Sequence, residues 1–252
     1  MRTITTILFA SINFSVQAQK LPAVQQVSLR APANIKIDGR DNEWGESLQA
    51  YNKNVDVFYS IANDNNNLYL IIKATDKQTI YKIINGGISF GISTSGKEEI
   101  NTKTFTYPKF DRRNFPSINL DNKPVAKKGI APNSVQVDSF RNAISKNLND
   151  RAKMVELSLG KTKTDTLISI YNDLGIKVAQ QFDTTLSYVY EIAVPLAYLG
   201  SRTGSNISYN VKLNGMYAAL PKGVVITAVA GADGVLNAMN PTDFSGEYTL
   251  TK

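Results

Sequence analysis

The sequence predicts an all-β protein, a two-sheet antiparallel β-sandwich with one short helix and one long irregular loop. Short runs of apolar and β-branched residues alternate with polar residues along most of the chain. Clusters of Asn, Asp and Gly separate these runs and are typical of turns. Helical spacing is confined to one longer stretch, residues 134–150. Many short strands with few helical periods favour a sandwich.

The first residues predict a secretory signal peptide. Arg2 precedes an apolar run from Ile4 to Val16, and small residues at Val16 and Ala18 predict cleavage after Ala18. The run is too short and too interrupted to span a membrane. We therefore expect a signal peptide at 1–18, an extended lead-in at 19–33 and a single sandwich domain at 34–252. The mature protein is expected to be exported: periplasmic, cell-surface or extracellular.

The strands are predicted from alternation and from the turns between them. Residues 55–76 form a hairpin around the turn Asn63–Asn67, and residues 166–183 form a second hairpin around Asn172–Gly175. A strand ending at Pro195 is expected to lead into a short helical turn. The other predicted strands follow Gly87 or cover residues 154–160, 207–220, 224–229 and 247–252.

The composition argues against an enzyme. The chain has no His and no Cys, so zinc sites built on these residues, His-ligated haem and His-based nucleophile systems are excluded. The segment GISFG at 87–91 matches a nucleophile elbow by letter, but it continues as a strand and has no histidine partner. A glycosidase that uses two carboxylates remains a remote alternative, because such enzymes need no histidine.

The formal charge of +7, from 28 basic and 21 acidic residues, is spread along the chain. Because dense basic runs are missing, we expect a solvated basic surface and no nucleic-acid partner. Neither membrane insertion nor a cofactor is expected. The segment Asn63–Asn67 is better explained as a polar turn than as a calcium loop, although the sequence leaves a structural calcium ion open. The oligomeric state is also open.

The candidate ligand site lies in a polar, proline-broken stretch from Gly96 to Pro132, which is predicted to be the long irregular loop. Aromatic rings with nearby guanidiniums can hold sugars by stacking and hydrogen bonding. In the alternative, the rings pack beneath the loop as a small apolar cluster. The candidate residues are Tyr107, Phe110, Arg112, Arg113 and Phe115.

Three stretches together resemble family 9 carbohydrate-binding modules and their relatives with the DOMON-like sandwich. They are IKIDGRDNEW at 35–44, IANDNNNLYLIIKATD at 61–76 and SYVYEIAVPLAYLG at 187–200. The tail DFSGEYTLTK also looks like the closing segment of secreted relatives. The resemblance implies a secreted sandwich that binds sugar or assists an enzyme, sometimes with structural calcium. The chain also departs from the family pattern. The sugar-binding members of the family hold a sugar between two tryptophans, whereas this chain has only Trp44.

The resemblance places Trp44 in the opening motif, with Asp38, Gly39 and Glu43; Glu191 and Pro195 belong to the late strand. We expect Trp44 to be buried and structural, Asp38 to cap its own turn, and Glu43 to accept a hydrogen bond nearby. The expected function is that of an exported, non-catalytic binding module for a glycan. The alternative is a structural or protein-interaction component of the bacterial cell envelope.

Overall fold

The computed structural model describes residues 20–45, 47–94, 102–126, 132–160, 166–216 and 239–252. The fold is a β-sandwich of two sheets, as predicted from the alternating pattern. The predicted signal peptide at 1–18 and the predicted strand at 224–229 lie outside the described residues. Within the described ranges, no helix is both long and apolar enough to cross a membrane.

Sheet A contains six strands: β1 (Leu29–Arg30), β2 (Ala50–Asn52), β3 (Val57–Asn63), β4 (Asn67–Ala74), β9 (Lys177–Phe182) and β10 (Tyr188–Pro195). Their order is β1-β3-β4-β10-β9, with β2 also paired to β3. The pairs are antiparallel except for β1, which runs parallel to β3 at the edge of the sheet. The short β1 is the part of the lead-in that joins the sheet.

Sheet B contains six strands in the described residues: β5 (Ile88–Ser93), β6 (Lys103–Lys109), β7 (Met154–Leu159), β8 (Thr166–Ser169), β11 (Asn206–Leu213) and β12 (Thr242–Thr249). Their order is β12-β11-β5-β6-β7-β8, and all neighbouring strands are antiparallel. The core lies between the two sheets and includes the fully buried rings of Tyr59, Phe90 and Tyr190.

Three helices accompany the sheets in the described residues: α1 (Lys77–Gly86), α2 (Ser134–Arg151) and α3 (Leu196–Leu199). The predictions of α2 and of the turn at α3 are confirmed, and α2 begins with a capping box formed by Asn133 and Gln136. Helix α1 was not predicted. The sequence does contain signals for this helix. Asp76 is an N-cap residue whose side chain accepts the backbone N–H of Thr79, and isoleucines follow at helical spacing at 80, 83 and 84.

The hairpin predicted at 166–183 is wrong. Strand β8 pairs with β7 in sheet B, whereas β9 pairs with β10 in sheet A. The predicted turn is therefore a crossing between sheets, held by Asn172, whose amide donates to the carbonyls of Ser169 and Ile176. Ile176 is 1% exposed and turns the chain into the core. Alternation shows which face of a strand is buried, but it does not show to which of the two sheets the strand belongs.

The prediction of one irregular loop from Gly96 to Pro132 is also wrong in part, because β6 (Lys103–Lys109) lies within it. Phe105 and Tyr107 point into the core, while Thr104 and Thr106 alternate with them on the other face. Pro108 lies where the register between β6 and β7 shifts, a place where a sheet tolerates proline. Short 3-10 turns at Arg112–Asn114 and Leu120–Asn122 follow.

Gly246, on the edge strand β12, is a position where a substitution tests the packing of the core. A Cβ at this position would overlap the hydroxyl oxygen and ring of Tyr209, whose hydroxyl lies 3.1 Å from that of buried Tyr59. We expect Gly246→Ala to lower the free energy of unfolding by about 1–3 kcal/mol, because the ring must shift within a packed core. Urea unfolding followed by circular dichroism measures this loss. An unchanged midpoint would show that the ring moves without cost.

Candidate functional site

A buried carboxylate joins the opening motif to the late strand. Glu191 on β10 is 0% exposed. Its Oε2 accepts the backbone N–H of Gly39 at 2.8 Å and of Asp38 at 3.0 Å, and its Oε1 accepts the indole N–H of Trp44 at 2.8 Å. Trp44 is 9% exposed and packs on the outer side of sheet A against Tyr69 and Ile71. Trp44 is therefore a structural residue, and its ring is not exposed for stacking on a ligand.

The turn beside this carboxylate is tightly built. Gly39 has a φ of +82° and lies against the backbone of Gln180 and Gln181. The Asp38 carboxylate accepts the backbone N–H of Arg40 at 3.0 Å, which is the capping bond expected of it. Glu43 Oε2, in contrast, is buried without a hydrogen-bond partner among the described residues.

Burial raises the pKa of Glu191 from 4.5 to about 7, although the three N–H donors oppose the shift. The folded state thus binds this proton more tightly than the unfolded chain. Glu191 contributes stability that is complete below pH 4.5 and is lost as the pH rises through about 7. The loss is about 3 kcal/mol.

This titration predicts a spectroscopic signal. Trp44 is the single tryptophan and donates to the titrating carboxylate. We expect its fluorescence in the native protein to change with a midpoint near pH 7, and the step to vanish in Glu191→Gln. A pH-independent signal in the unaltered protein would contradict the assignment.

The structure does not bring the predicted aromatic residues together on one exposed surface. Tyr107 is 2% exposed, and its hydroxyl donates to the carbonyl of Ala152, so its ring belongs to the core. Phe110 is half-buried and meets Phe115 edge-on, with 5.3 Å between ring centroids. Phe115 is 36% exposed, and Arg113 beside it is solvated. Arg112 begins the 3-10 turn that separates the two phenylalanines.

A polar groove crosses sheet B on the face that is turned away from the core. Here the register aligns Gly91 with Asn210 and Ser245, and it aligns Ser93 with Ser208 and Glu247. These rows form a groove with a volume of about 690 Å³. Its described lining consists of Gly91, Ser93, Thr102, Ser208, Tyr209, Asn210, Ser245, Gly246 and Glu247.

Asn210 is the best-placed polar group of this groove. Its amide nitrogen donates to Asp243 Oδ2 at 2.8 Å, to Ser245 Oγ at 3.0 Å and to the carbonyl of Phe244 at 3.1 Å. These contacts fix the orientation of the side chain and direct its donor group toward β12. Gly91 has no side chain, so the space beside Thr102 and Thr104 at the floor of the groove is left open. Sequence reasoning missed this groove.

In the turn at Asn63–Asn67, the carboxylate oxygens of Asp64 accept hydrogen bonds from nearby residues. Asp64 Oδ1 accepts the backbone N–H groups of Asn66 and Asn67, both at 2.7 Å, and Asp64 Oδ2 accepts the Tyr69 hydroxyl at 2.6 Å. This is the hydrogen-bonded Asx turn expected from the sequence. In the described part of the chain, no three acidic side chains group in a way that could hold a metal ion. A structural calcium ion, which the sequence left open, is untested.

No protein-family model matches the chain, and no curated protein matches it. Among solved structures it is similar to a family 9 carbohydrate-binding module from Caldicellulosiruptor kristjanssonii in complex with glucose. The TM-score is 0.36 and the identity 9%, over 88% of this chain and 94% of that module. A likeness of this degree assigns no family, and the glucose belongs to that protein.

Proposed function

We propose that the protein is an exported, non-catalytic binding module for a glycan and that the groove on sheet B holds the sugar. The observation that carries the proposal is the chemistry of the groove. Its outward-facing side chains carry hydroxyl groups (Ser93, Thr102, Ser208 and Ser245) and one amide (Asn210) around Gly91, and the one charged side chain of the described lining is Glu247. Neutral hydroxyl and amide groups both donate and accept hydrogen bonds, as a sugar with many hydroxyls requires.

The shape of the groove supports the same ligand class. It crosses β5, β11 and β12, and neighbouring strands lie about 4.8 Å apart. The floor is therefore about 10 Å wide across the three strands. A volume of about 690 Å³ lies in the range of sites for small molecules. A short stretch of a glycan fits these dimensions.

The test is retention of the full chain on a glycan array and on insoluble polysaccharides, with and without calcium. We expect the unaltered protein to bind one polysaccharide class and Asn210→Leu to lose this binding, since leucine removes the central polar group. Tyr171→Ala is the matched control, because Tyr171 is 80% exposed and lies on the crossing between the sheets.

Phe115→Ala tests the aromatic pair proposed from the sequence. Loss of binding in Phe115→Ala alone would move the site to Phe110, Arg112, Arg113 and Phe115. Retention on no glycan by protein shown to be folded, together with capture of one stoichiometric envelope protein, would favour the interaction-protein alternative. Calcium-dependent retention would support a bound calcium ion, which the sequence left open.

A further inference from the structure

A second cavity lies away from the groove, beside the opening motif. It has a volume of about 430 Å³. Four segments meet here: the turn at 39–42, the end of β4, the middle of α2, and the end of β9 with the turn that follows it. The described residues that line it are Gly39, Arg40, Asp41, Asn42, Lys73, Arg141, Asn142, Gln181, Phe182, Asp183, Thr184 and Thr185.

The acidic groups of the cavity are already engaged. Lys73 Nζ lies 2.8 Å from Asp41 Oδ2 and 2.7 Å from Asp183 Oδ2. Asp183 Oδ1 also accepts the backbone N–H groups of Thr185 and Ser187. Burial opposes the charge of Asp183, but the hydrogen bonds from Lys73 and Thr185 keep its pKa below the usual value. The lysine thus stands between the two acids, in the position that a cation would take.

The basic groups are less fully engaged. Arg40 is exposed, and its guanidinium has no partner among the described residues. Arg141 contacts Asp138 of its own helix at 3.1 Å and donates to Asn142 Oδ1 at 3.5 Å, both through the same nitrogen. A guanidinium has five N–H donors, so the contacts with described residues leave most of the donor capacity of these two arginines unused. The amides of Asn42 and Asn142 lie beside them in the lining.

We infer that this cavity binds the carboxylate of a sugar acid, a uronic acid unit, through Arg40 and Arg141. Guanidiniums bind carboxylates by paired N–H bonds, which are stronger than neutral hydrogen bonds. The neighbouring Asn and Thr side chains suit the hydroxyls of the same sugar, and a volume of about 430 Å³ accommodates one or two sugar units. The inference does not depend on the groove and stands if the groove fails.

The experiment titrates the full chain with D-galacturonic acid, with D-galactose as the neutral counterpart and with acetate as the bare carboxylate. Calorimetry measures binding. Trp44 fluorescence provides a second signal, because the backbone N–H of Trp44 donates to the carbonyl of Asp41, a lining residue, at 3.1 Å. We expect saturable binding of galacturonic acid, at least about tenfold tighter than that of galactose or acetate. The affinity should also fall as salt is added.

The variants locate the site. Arg40→Ala and Arg141→Ala should each weaken galacturonic acid binding about tenfold or more. Arg202→Ala removes an equal charge from an exposed side chain that does not line the cavity, so it should bind as the unaltered protein does. Equal binding of galactose, equal loss in Arg202→Ala, or no saturable binding would overturn the inference.

Discussion

Replacing Glu191 with leucine is expected to lower the free energy of unfolding by about 3–5 kcal/mol. Leucine keeps most of the side-chain volume, so the loss does not come from a cavity. It comes from three N–H donors, those of Trp44, Asp38 and Gly39, which lose their acceptor inside the protein. Urea unfolding followed by Trp44 fluorescence measures the loss.

The matched control for this substitution is Glu156→Leu on β7. Glu156 is also a hydrogen-bonded strand carboxylate, but its partner is the charged Lys109 Nζ at 2.8 Å, and this pair is partly open to solvent. A partly exposed ion pair contributes little, so the control should stay within about 1 kcal/mol of the unaltered protein. Equal losses in the two variants would show that Glu191 is no more than an ordinary strand residue.

The second large effect is expected at Gly39. A Cβ there would lie 2.6 Å from the carbonyl carbon of Gln180 and 2.8 Å from the nitrogen of Gln181, both of them backbone atoms that cannot move aside. The φ of +82° adds the strain of a side chain in a left-handed conformation. We expect Gly39→Ala to cost about 3 kcal/mol or more, the sum of overpacking and strain.

Gly200→Ala separates these two causes. Gly200 also has a positive φ, +71°, but no atom lies within 4 Å of the position that a Cβ would take. This variant should lose only about 1 kcal/mol, the cost of strain alone. Thermal unfolding of both variants provides the comparison. A loss at Gly200 as large as that at Gly39 would show that backbone conformation, and not the contact with Gln180, makes glycine necessary.

The sequence predicted the sandwich because alternation is a local property of each strand. The hairpin of β3 and β4 formed as expected, since the Asp64 turn and the apolar alternation act on neighbouring residues. The pairing of β8 was mispredicted because the choice of sheet depends on distant partners: Ile168 pairs with Val155, and no local pattern encodes that choice. β6 was missed because Pro108 outweighed the alternation of Phe105 and Tyr107.

The candidate sites could be predicted less well than the fold. The groove joins residues from 91 to 247, and only the register of three strands brings Gly91, Asn210 and Ser245 into one row. In the sequence, each of them is an ordinary polar or small position on the outer face of a strand. Glu191 was placed in a motif by resemblance, but its link to Trp44 requires β10 to lie beneath the opening turn.

The most direct test of glycan binding in the groove is calorimetry of Gly91→Leu with the oligosaccharide that the unaltered protein retains. A Cβ at Gly91 meets its nearest atom, Thr104 Oγ1, at 3.4 Å, so the strand can accept a side chain, and the rest of the leucine fills the floor of the groove. We expect the variant to keep its circular dichroism spectrum and to lose measurable binding. A folded Gly91→Leu protein that binds the oligosaccharide with unchanged affinity would contradict the proposal.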